Sequence, residues 1–214
     1  VEEAREEMIE AASVADEELM MKYLEGEELT KSEIEHPVKL GIRNREMVPI
    51  LCGSAQSIFG IPLLLDHIVQ GMPSPVNRTV LGLNSGGEEV TISTEDPELC
   101  ALVYKTMADP YVGKLTLFRV FSGTVRADTS VYNVRSDRDE RVGQLFVVKG
   151  KDQISVSELG PGDLGAVSKL QDTTTNDTLG SRETKLRVKP IAFPQPSMTM
   201  AIQPKAKGDE EKIS

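Results

Sequence analysis

At 214 residues the chain holds one large domain or two small ones, and a 39% apolar content is enough to bury cores. Its formal net charge of −10 is confined to residues 1–36, which carry 13 acidic and 3 basic side chains; the remainder carries 21 of each, so overall acidity does not exclude nucleic acid as a partner. No apolar run approaches the roughly 18 residues that span a bilayer, no basic-then-apolar leader is present, and two widely separated cysteines give no disulfide framework and fit a reducing cytoplasm.

The first element predicted is a helix over 2–23. Ala4, Met8, Ala11, Ala12, Ala15, Leu19 and Tyr23 recur at helical spacing, Glu3, Glu6, Glu10 and Glu17 lie mostly off that stripe, and Gly26 ends it. The acidic side of this segment reads as a solvated helix face or a docking surface for a protein. Thr30-Lys31-Ser32-Glu33 has the form of a capping box opening a helix with Ile34, Val38 and Ile42 on one face. Pro37 either kinks that helix or marks a late start after His36. Residues 47–52 read as a short buried strand in which Cys52 packs as a small hydrophobe, with Pro49 near an edge or the strand start. Ile61, Leu64, Leu65, Ile68 and Met72 then form an amphipathic helix ended by Gly71 and Pro73. Strand, small-residue loop and helix make the closing half-unit of an α/β sheet.

Pro73-Ser74-Pro75 reads as a stiff linker. Beyond it, strand-like runs near 80–83, 89–93, 99–108, 115–121, 129–134, 141–149, 153–156 and 164–170 are separated by turn signals such as Asp109-Pro110 and Gly160-Pro161-Gly162-Asp163. That texture predicts a closed or nearly closed β-barrel of about 110 residues. Pro194 and Pro196 mark a second linker, Met198, Met200 and Ile202 alternate in a last strand, and Gly208-Asp209 precedes a helix start. With Val1 inside one helical pattern and Ser214 at the opening of another, the chain reads as an internal piece of a longer protein.

Catalytic patterns are scarce. His36 and His67 do not sit at ligand spacing, no G-x-S-x-G or H-E-x-x-H motif is present, and the phosphate-cradling G-x-x-x-x-G-K-[ST] loop is absent, so this chain alone is not expected to hydrolyse a nucleotide. Cys52-Gly53-Ser54-Ala55 is either a plain tight turn or a loop whose backbone N–H groups approach a flat ligand closely. Lys114, Arg119, Arg126, Arg135, Arg138, Arg141, Lys149 and Lys151 cluster in the barrel region. Such long cationic side chains suit phosphate contacts; with Asp128, Asp137, Asp139 and Glu140 interleaved, an ordinary solvated surface is the alternative. Arg119 is expected on a face separate from those of Leu117 and Val120. Tyr111, Phe118, Phe121, Tyr132 and Phe146 are better suited to core or turn packing than to base stacking.

Taken together, the stretch from Asp109-Pro110-Tyr111-Val112-Gly113-Lys114-Leu115 through Phe118-Arg119-Val120-Phe121-Ser122-Gly123, with Gly162-Asp163, Thr173-Thr174-Thr175-Asn176-Asp177-Thr178 and Cys52-Gly53-Ser54-Ala55, resembles an interior piece of elongation factor G. Arg141-Val142-Gly143-Gln144-Leu145-Phe146 and Lys205 to Lys212 lean toward its elongation factor G-like paralogues. Two positions depart from the family pattern: Gln56 to Gly60 replace a basic, Asn-rich stretch, and Asn176 stands where glycine is usual. The fold implied is multidomain α+β, in four parts. Residues 1–46 are the partial helical insert of a GTPase domain, and 47–78 are that domain's last strand, guanine loop and closing helix, together an α/β remnant with acidic helices. Residues 79–194 are the translation-factor β-barrel called domain II, and 195–214 are a short α/β start of domain III.

The resemblance implies that Ser54 shapes the guanine loop beside Gly53 and that the Ala55 N–H donates to the guanine carbonyl. It implies a parent GTPase using GTP with Mg, while this piece lacks the engine and binds GTP poorly. It further implies a cytoplasmic partner, the ribosome. The barrel meets small-subunit ribosomal RNA, with Lys114, Arg119, Arg126 and Arg141 as candidate contacts, and the helical insert meets the stalk protein. tRNA and mRNA are moved indirectly, no membrane is involved, and the piece is a monomer. The alternatives are a non-enzymatic protein-interaction module and a ribosome-protection or release-type translational GTPase.

Overall fold

The computed structural model describes residues 2–14, 16–109 and 113–205 and divides after Ser74 into two units. Ala15 of the first stripe, the turn at Pro110, Tyr111 and Val112, and the helix start at Gly208 lie outside the described residues.

The first unit is helical: α1 (Glu2–Ser13), α2 (Glu17–Leu24), α3 (Lys31–Asn44) and α4 (Ile61–Gly71). The single stripe predicted over 2–23 is two helices. Asp16 has extended backbone angles and its carboxylate accepts from the N–H groups of Glu18 (2.9 Å) and Leu19 (3.1 Å), so it caps a new helix instead of continuing the old one. Periodicity alone does not register such a cap, because Leu19 still joins Ala12 and Ile34 in one small core. Gly26, at φ +75°, ends α2: its N–H donates to the Tyr23 carbonyl (3.1 Å) and that of Glu27 to the Lys22 carbonyl (3.0 Å). These are the paired closures that satisfy last-turn carbonyls.

α3 opens on the predicted capping box, with Thr30 Oγ1 accepting from the Glu33 N–H (3.4 Å) and Glu33 Oε2 accepting from the Thr30 N–H (2.9 Å). The other Glu33 oxygen takes the Lys22 ammonium at 2.7 Å, tying α3 to α2. The Lys22 hydrogen bond, with those of Thr30, holds the Glu33 carboxyl down to about 2. The helix runs through Pro37, which forfeits only the N–H that would have met the Glu33 carbonyl.

Two expectations fail in this unit. Residues 47–52 form no strand; Val48 and Ile50 are 82% and 90% exposed, and Cys52 is exposed rather than packed. A strand needs a ladder partner, and no strand among the described residues of this unit supplies one. α4 forms where its stripe predicts, yet none of its residues is buried. Leu65, Ile68 and Val69 have no sheet to cover among those residues.

The second unit is antiparallel β. Its strands are β1 (Val80–Leu83), β2 (Glu89–Ile92), β3 (Cys100–Asp109), β4 (Gly113–Ser122), β5 (Val125–Arg126), β6 (Thr129–Asn133), β7 (Arg138–Val142), β8 (Leu145–Lys149), β9 (Asp152–Val156), β10 (Glu158–Leu159), β11 (Leu164–Ser168), β12 (Thr178–Gly180) and β13 (Arg187–Val188). Eight of them order as β7-β6-β12-β3-β4-β11-β8-β9. Val131 and Val142 from one end of this sheet share a buried cluster with Leu145 from the other and with Val103, Phe118 and Val120 from the middle. The sheet therefore curls on itself into a nearly closed barrel, with β7 and β9 as its edges. The β5–β10 pair adds Val125 and Leu159 to the same core. The run predicted over 141–149 is two strands, β7 and β8, broken at Gly143, and the short β5, β10, β12 and β13 were not foreseen. The strand expected at 198–202 is absent: Met198, Met200 and Ile202 are exposed and unpaired.

Strand alternation sorts β4 cleanly. Phe118 and Val120 point to the barrel core, whereas Leu115 and Leu117 pack with Phe146 and Ala166 in a separate cluster. A three-stranded sheet, β13-β1-β2, covers a further apolar patch of Ile92, Cys100, Leu102 and Val188. Burial, helped by the Asp96 carboxylate, pushes the Cys100 thiol up to about 12, so it stays protonated and packs as a hydrophobe. No helix among the described residues is long and apolar enough to cross a membrane.

Gly123 follows β4 at φ +64°, and a Cβ there would lie 2.6 Å from the Leu99 backbone N and Cα. Left-handed strain and overpacking together make Gly123→Ala about 3 kcal/mol destabilising. Thermal unfolding monitored by circular dichroism should show a lowered Tm; an unchanged Tm would mean that Leu99 yields freely.

Candidate functional site

The threonine-rich stretch 173–178 is a buried polar joint. Asp177 is only 3% exposed, and Asn133, Thr173 and Glu140 are buried with it. Asn133 Nδ2 donates to Thr173 Oγ1 (3.0 Å) and Asp177 Oδ2 (2.9 Å). Thr173 Oγ1 donates in turn to Glu140 Oε1, and Glu140 Oε2 accepts the backbone N–H groups of Gln171 (2.5 Å) and Asp172 (3.1 Å). Arg135 closes the arrangement, its Nε donating to Asp177 Oδ1 at 2.5 Å and its Nη2 to Asp177 Oδ2 at 2.9 Å and the Asp172 carbonyl at 2.7 Å. On the alternative reading of a solvated barrel surface Glu140 is an exposed acid; it is instead an internal strut of β7. Asn176 sits at φ +75°, which asparagine tolerates, and its side chain exchanges hydrogen bonds with the Ile191 backbone at 3.0 and 2.9 Å. That anchoring holds the asparagine in its left-handed conformation.

The basic residues divide by whether the fold neutralises them. Arg135 serves Asp177, Arg138 pairs with Asp172 (3.1 Å), and Arg126 pairs with Glu158 (3.2 Å). Lys114 donates to the Gln171 carbonyl at 3.1 Å. Arg141, Lys149 and Lys151 are exposed, and their side chains make no ion pair or hydrogen bond among the described residues. Arg119 is half-buried, and its Nε is shielded from solvent without an acceptor. It shares the face of Leu117, contrary to expectation, because the two are two positions apart in one strand.

The small-residue loop is closed by Ser54, whose N–H donates to the Phe59 carbonyl at 2.9 Å and whose Oγ accepts from the Ser57 N–H at 3.4 Å. The Ala55 N–H carries no hydrogen bond among the described residues, and Gly53, just before Ser54, lies outside any helix or strand.

Residues 98–182 match the family model of elongation factor G domain 2, a span running from the start of β3 past β12. Over that span the chain is similar to elongation factor G. A crystal structure of a protein from Thermus thermophilus is similar over 98% of this chain at 28% identity, with a TM-score of 0.72. This chain spans 29% of the length of that one. Domain 2 is not the catalytic GTPase domain of elongation factor G.

In the matched barrel, the unneutralised cations are the groups able to meet phosphate. Arg182 and Lys185 were missed in the sequence because they lie outside the basic cluster; they stack over the Tyr132 ring at 5.0 and 5.7 Å and pair with Asp139 and Asp137. Tyr132 donates its hydroxyl to Asp137, so it serves packing, as expected of it.

Burial would raise the Asp177 carboxyl, but hydrogen bonds from Arg135, the Thr174 N–H and Asn133 outweigh it and hold the group below the usual carboxylate range. The unfolded chain, at about 3.9, therefore takes up this proton at a higher pH than the folded chain does. Its stabilisation is complete above about pH 5 and is lost as the pH falls further. Asp177→Asn should cost about 3 kcal/mol at neutral pH. The Tm gap between wild type and variant should narrow between about pH 5 and pH 3; a gap constant with pH would deny the charge its role.

Proposed function

We propose that this chain is part of a GTP-dependent translation factor of elongation factor G type that binds the ribosome in the cytoplasm and couples GTP hydrolysis to movement of tRNA and mRNA. The match of residues 98–182 to elongation factor G domain 2 carries this reading. The uncompensated cations support it: Arg141, Lys149 and Lys151 hold long, hydrated charges at the surface without internal partners among the described residues, as a sequence-independent phosphate contact requires. Of the candidate RNA contacts, Arg126 and Lys114 are the weaker, since each is already engaged within the barrel.

Gly53, Ser54 and Ala55 fit one edge of a guanine base, because the Ala55 N–H lacks an acceptor among the described residues and the Ser54 bonds keep the loop tight. GTP, with its Mg, would supply the free energy of phosphoanhydride hydrolysis in the whole factor. The residues here would only orient the base, and this chain alone hydrolyses no GTP. The acidic helices of residues 1–46 would meet the stalk protein.

Co-sedimentation of the chain with ribosomes tests the reading. Binding should weaken about tenfold or more between 50 and 200 mM salt, and by a similar factor in Arg141→Glu with Lys149→Glu. Retained binding in the double variant, or turnover of labelled GTP by the pure chain, would overturn it. Capture of a protein by residues 1–46 with no ribosome binding would favour an interaction module instead.

A further inference from the structure

The outer face of β4 has a second tenant besides Leu115 and Leu117. Arg119 and Phe121 line a cavity of about 220 Å³ in the second unit, together with Arg78, Thr94, Leu102 and Lys189. The Arg119 guanidinium lies over the Phe121 ring, 5.8 Å from its centroid. Strand alternation sends Arg119 away from the barrel core, and the apolar patch under the three-stranded sheet includes Leu102 and packs Phe121 against it.

Three features of this cavity ask for a ligand. First, Arg119 Nε is buried and has no hydrogen-bond partner among the described residues. A guanidinium N–H removed from water without an acceptor is costly, and native folds rarely leave one so unless something else completes it. Second, Arg78 and Lys189 stand exposed at the same cavity, neither in an ion pair among the described residues, and no Asp or Glu among those residues contributes to its wall. Three positive charges around one recess, backed by an apolar wall, focus positive potential into it. Third, the wall is mixed: Thr94 offers a hydroxyl, while Leu102 and Phe121 offer apolar and aromatic surface.

We propose that this cavity binds a phosphate ester, with Arg119 donating from within, Arg78 and Lys189 neutralising the charge from the rim, and the sugar or base side of the ester resting on Leu102 and Phe121. Three cations match the charge of a phosphate better than the single charge of a carboxylate. The guanidinium fork, lying over the Phe121 ring, suits two phosphate oxygens at once. The ester is either a free nucleotide monophosphate or a phosphate of an RNA strand. The strand-phosphate arm deepens the ribosome reading and rests on it, since Arg119 is itself a candidate RNA contact there; the free-monoester arm goes beyond that reading, and Arg141, Lys149 and Lys151 do not line the cavity.

Isothermal titration of the 214-residue chain with 5′-AMP, adenosine and a short single-stranded RNA tests it. AMP or RNA should bind and adenosine should not. Arg119→Gln should weaken binding about tenfold or more, and exposed Arg78→Gln and Lys189→Gln should each weaken it several-fold. AMP binding without RNA binding assigns the free monoester; RNA without AMP assigns the strand phosphate. Arg78→Gln and Lys189→Gln alter exposed side chains and leave Tm unchanged, so they report on the cavity even where Arg119→Gln unfolds the barrel. The proposal is overturned if neither AMP nor RNA binds, if adenosine binds as well as AMP, if an acidic peptide is preferred to both, or if the rim variants bind like wild type. Because ribosome co-sedimentation is read through Arg141 and Lys149, either proposal can fail while the other stands.

Discussion

The Asp177 carboxylate, sunk among Arg135, Asn133 and the Thr174 N–H, is the constraint on which the barrel's closing side depends. β12 is only three residues long and contributes few ladder bonds, yet it lies between β6 and β3 in the eight-stranded order. So short a strand holds its place because the loop before it is clamped: Asn133 reaches across from β6, Glu140 from β7, and Arg135 from the turn between them. Each member satisfies another, so the buried charge is not left alone. The same joint places the Asp177 carbonyl to accept from the Val103 N–H, stitching the loop to β3.

Charge is handled differently inside and outside that joint. Arg126, Arg135, Arg138, Arg182 and Lys185 are each matched to a carboxylate, which leaves them little to offer a partner. Most of these pairs are exposed and contribute little stability on their own. Their consequence is electrostatic: they take five cations out of the outward field. Among the cations left without an ion pair are Arg141, Lys149 and Lys151 on one hand, and those of the recess at Arg119 on the other.

The helical unit shows the opposite balance. Its order comes from local closures, namely the Asp16 cap, the Gly26 stop, the Thr30–Glu33 box and the Lys22–Glu33 bond between helices. Its apolar core is small, and the α4 stripe is uncovered. Such caps are each worth about 1 kcal/mol, enough to define helix ends but not to bury a face.

Local chemistry was legible in the sequence by itself. The capping box at Thr30, the stop at Gly26, the α4 stripe and most of the long barrel strands were read directly, because a helix cap, a helix face and an alternating strand are set by residues within one or two turns of each other. The resemblance to elongation factor G was legible for the same reason, resting on short contiguous motifs. What required the tertiary structure was every property that depends on a partner distant in the chain. Residues 47–52 and 198–202 have strand-like composition but no neighbour to pair with among the described residues, whereas β12 and β13 are too short to be signalled and exist only because neighbours hold them. Glu140 and Asp139 are adjacent acids that look alike in sequence; the register of β6 against β7 buries one and exposes the other. Likewise Arg119 and Arg126 are both strand arginines, and only the spatial proximity of Glu158 to one, and the lack of a carboxylate in the described wall around the other, decides which keeps its charge available.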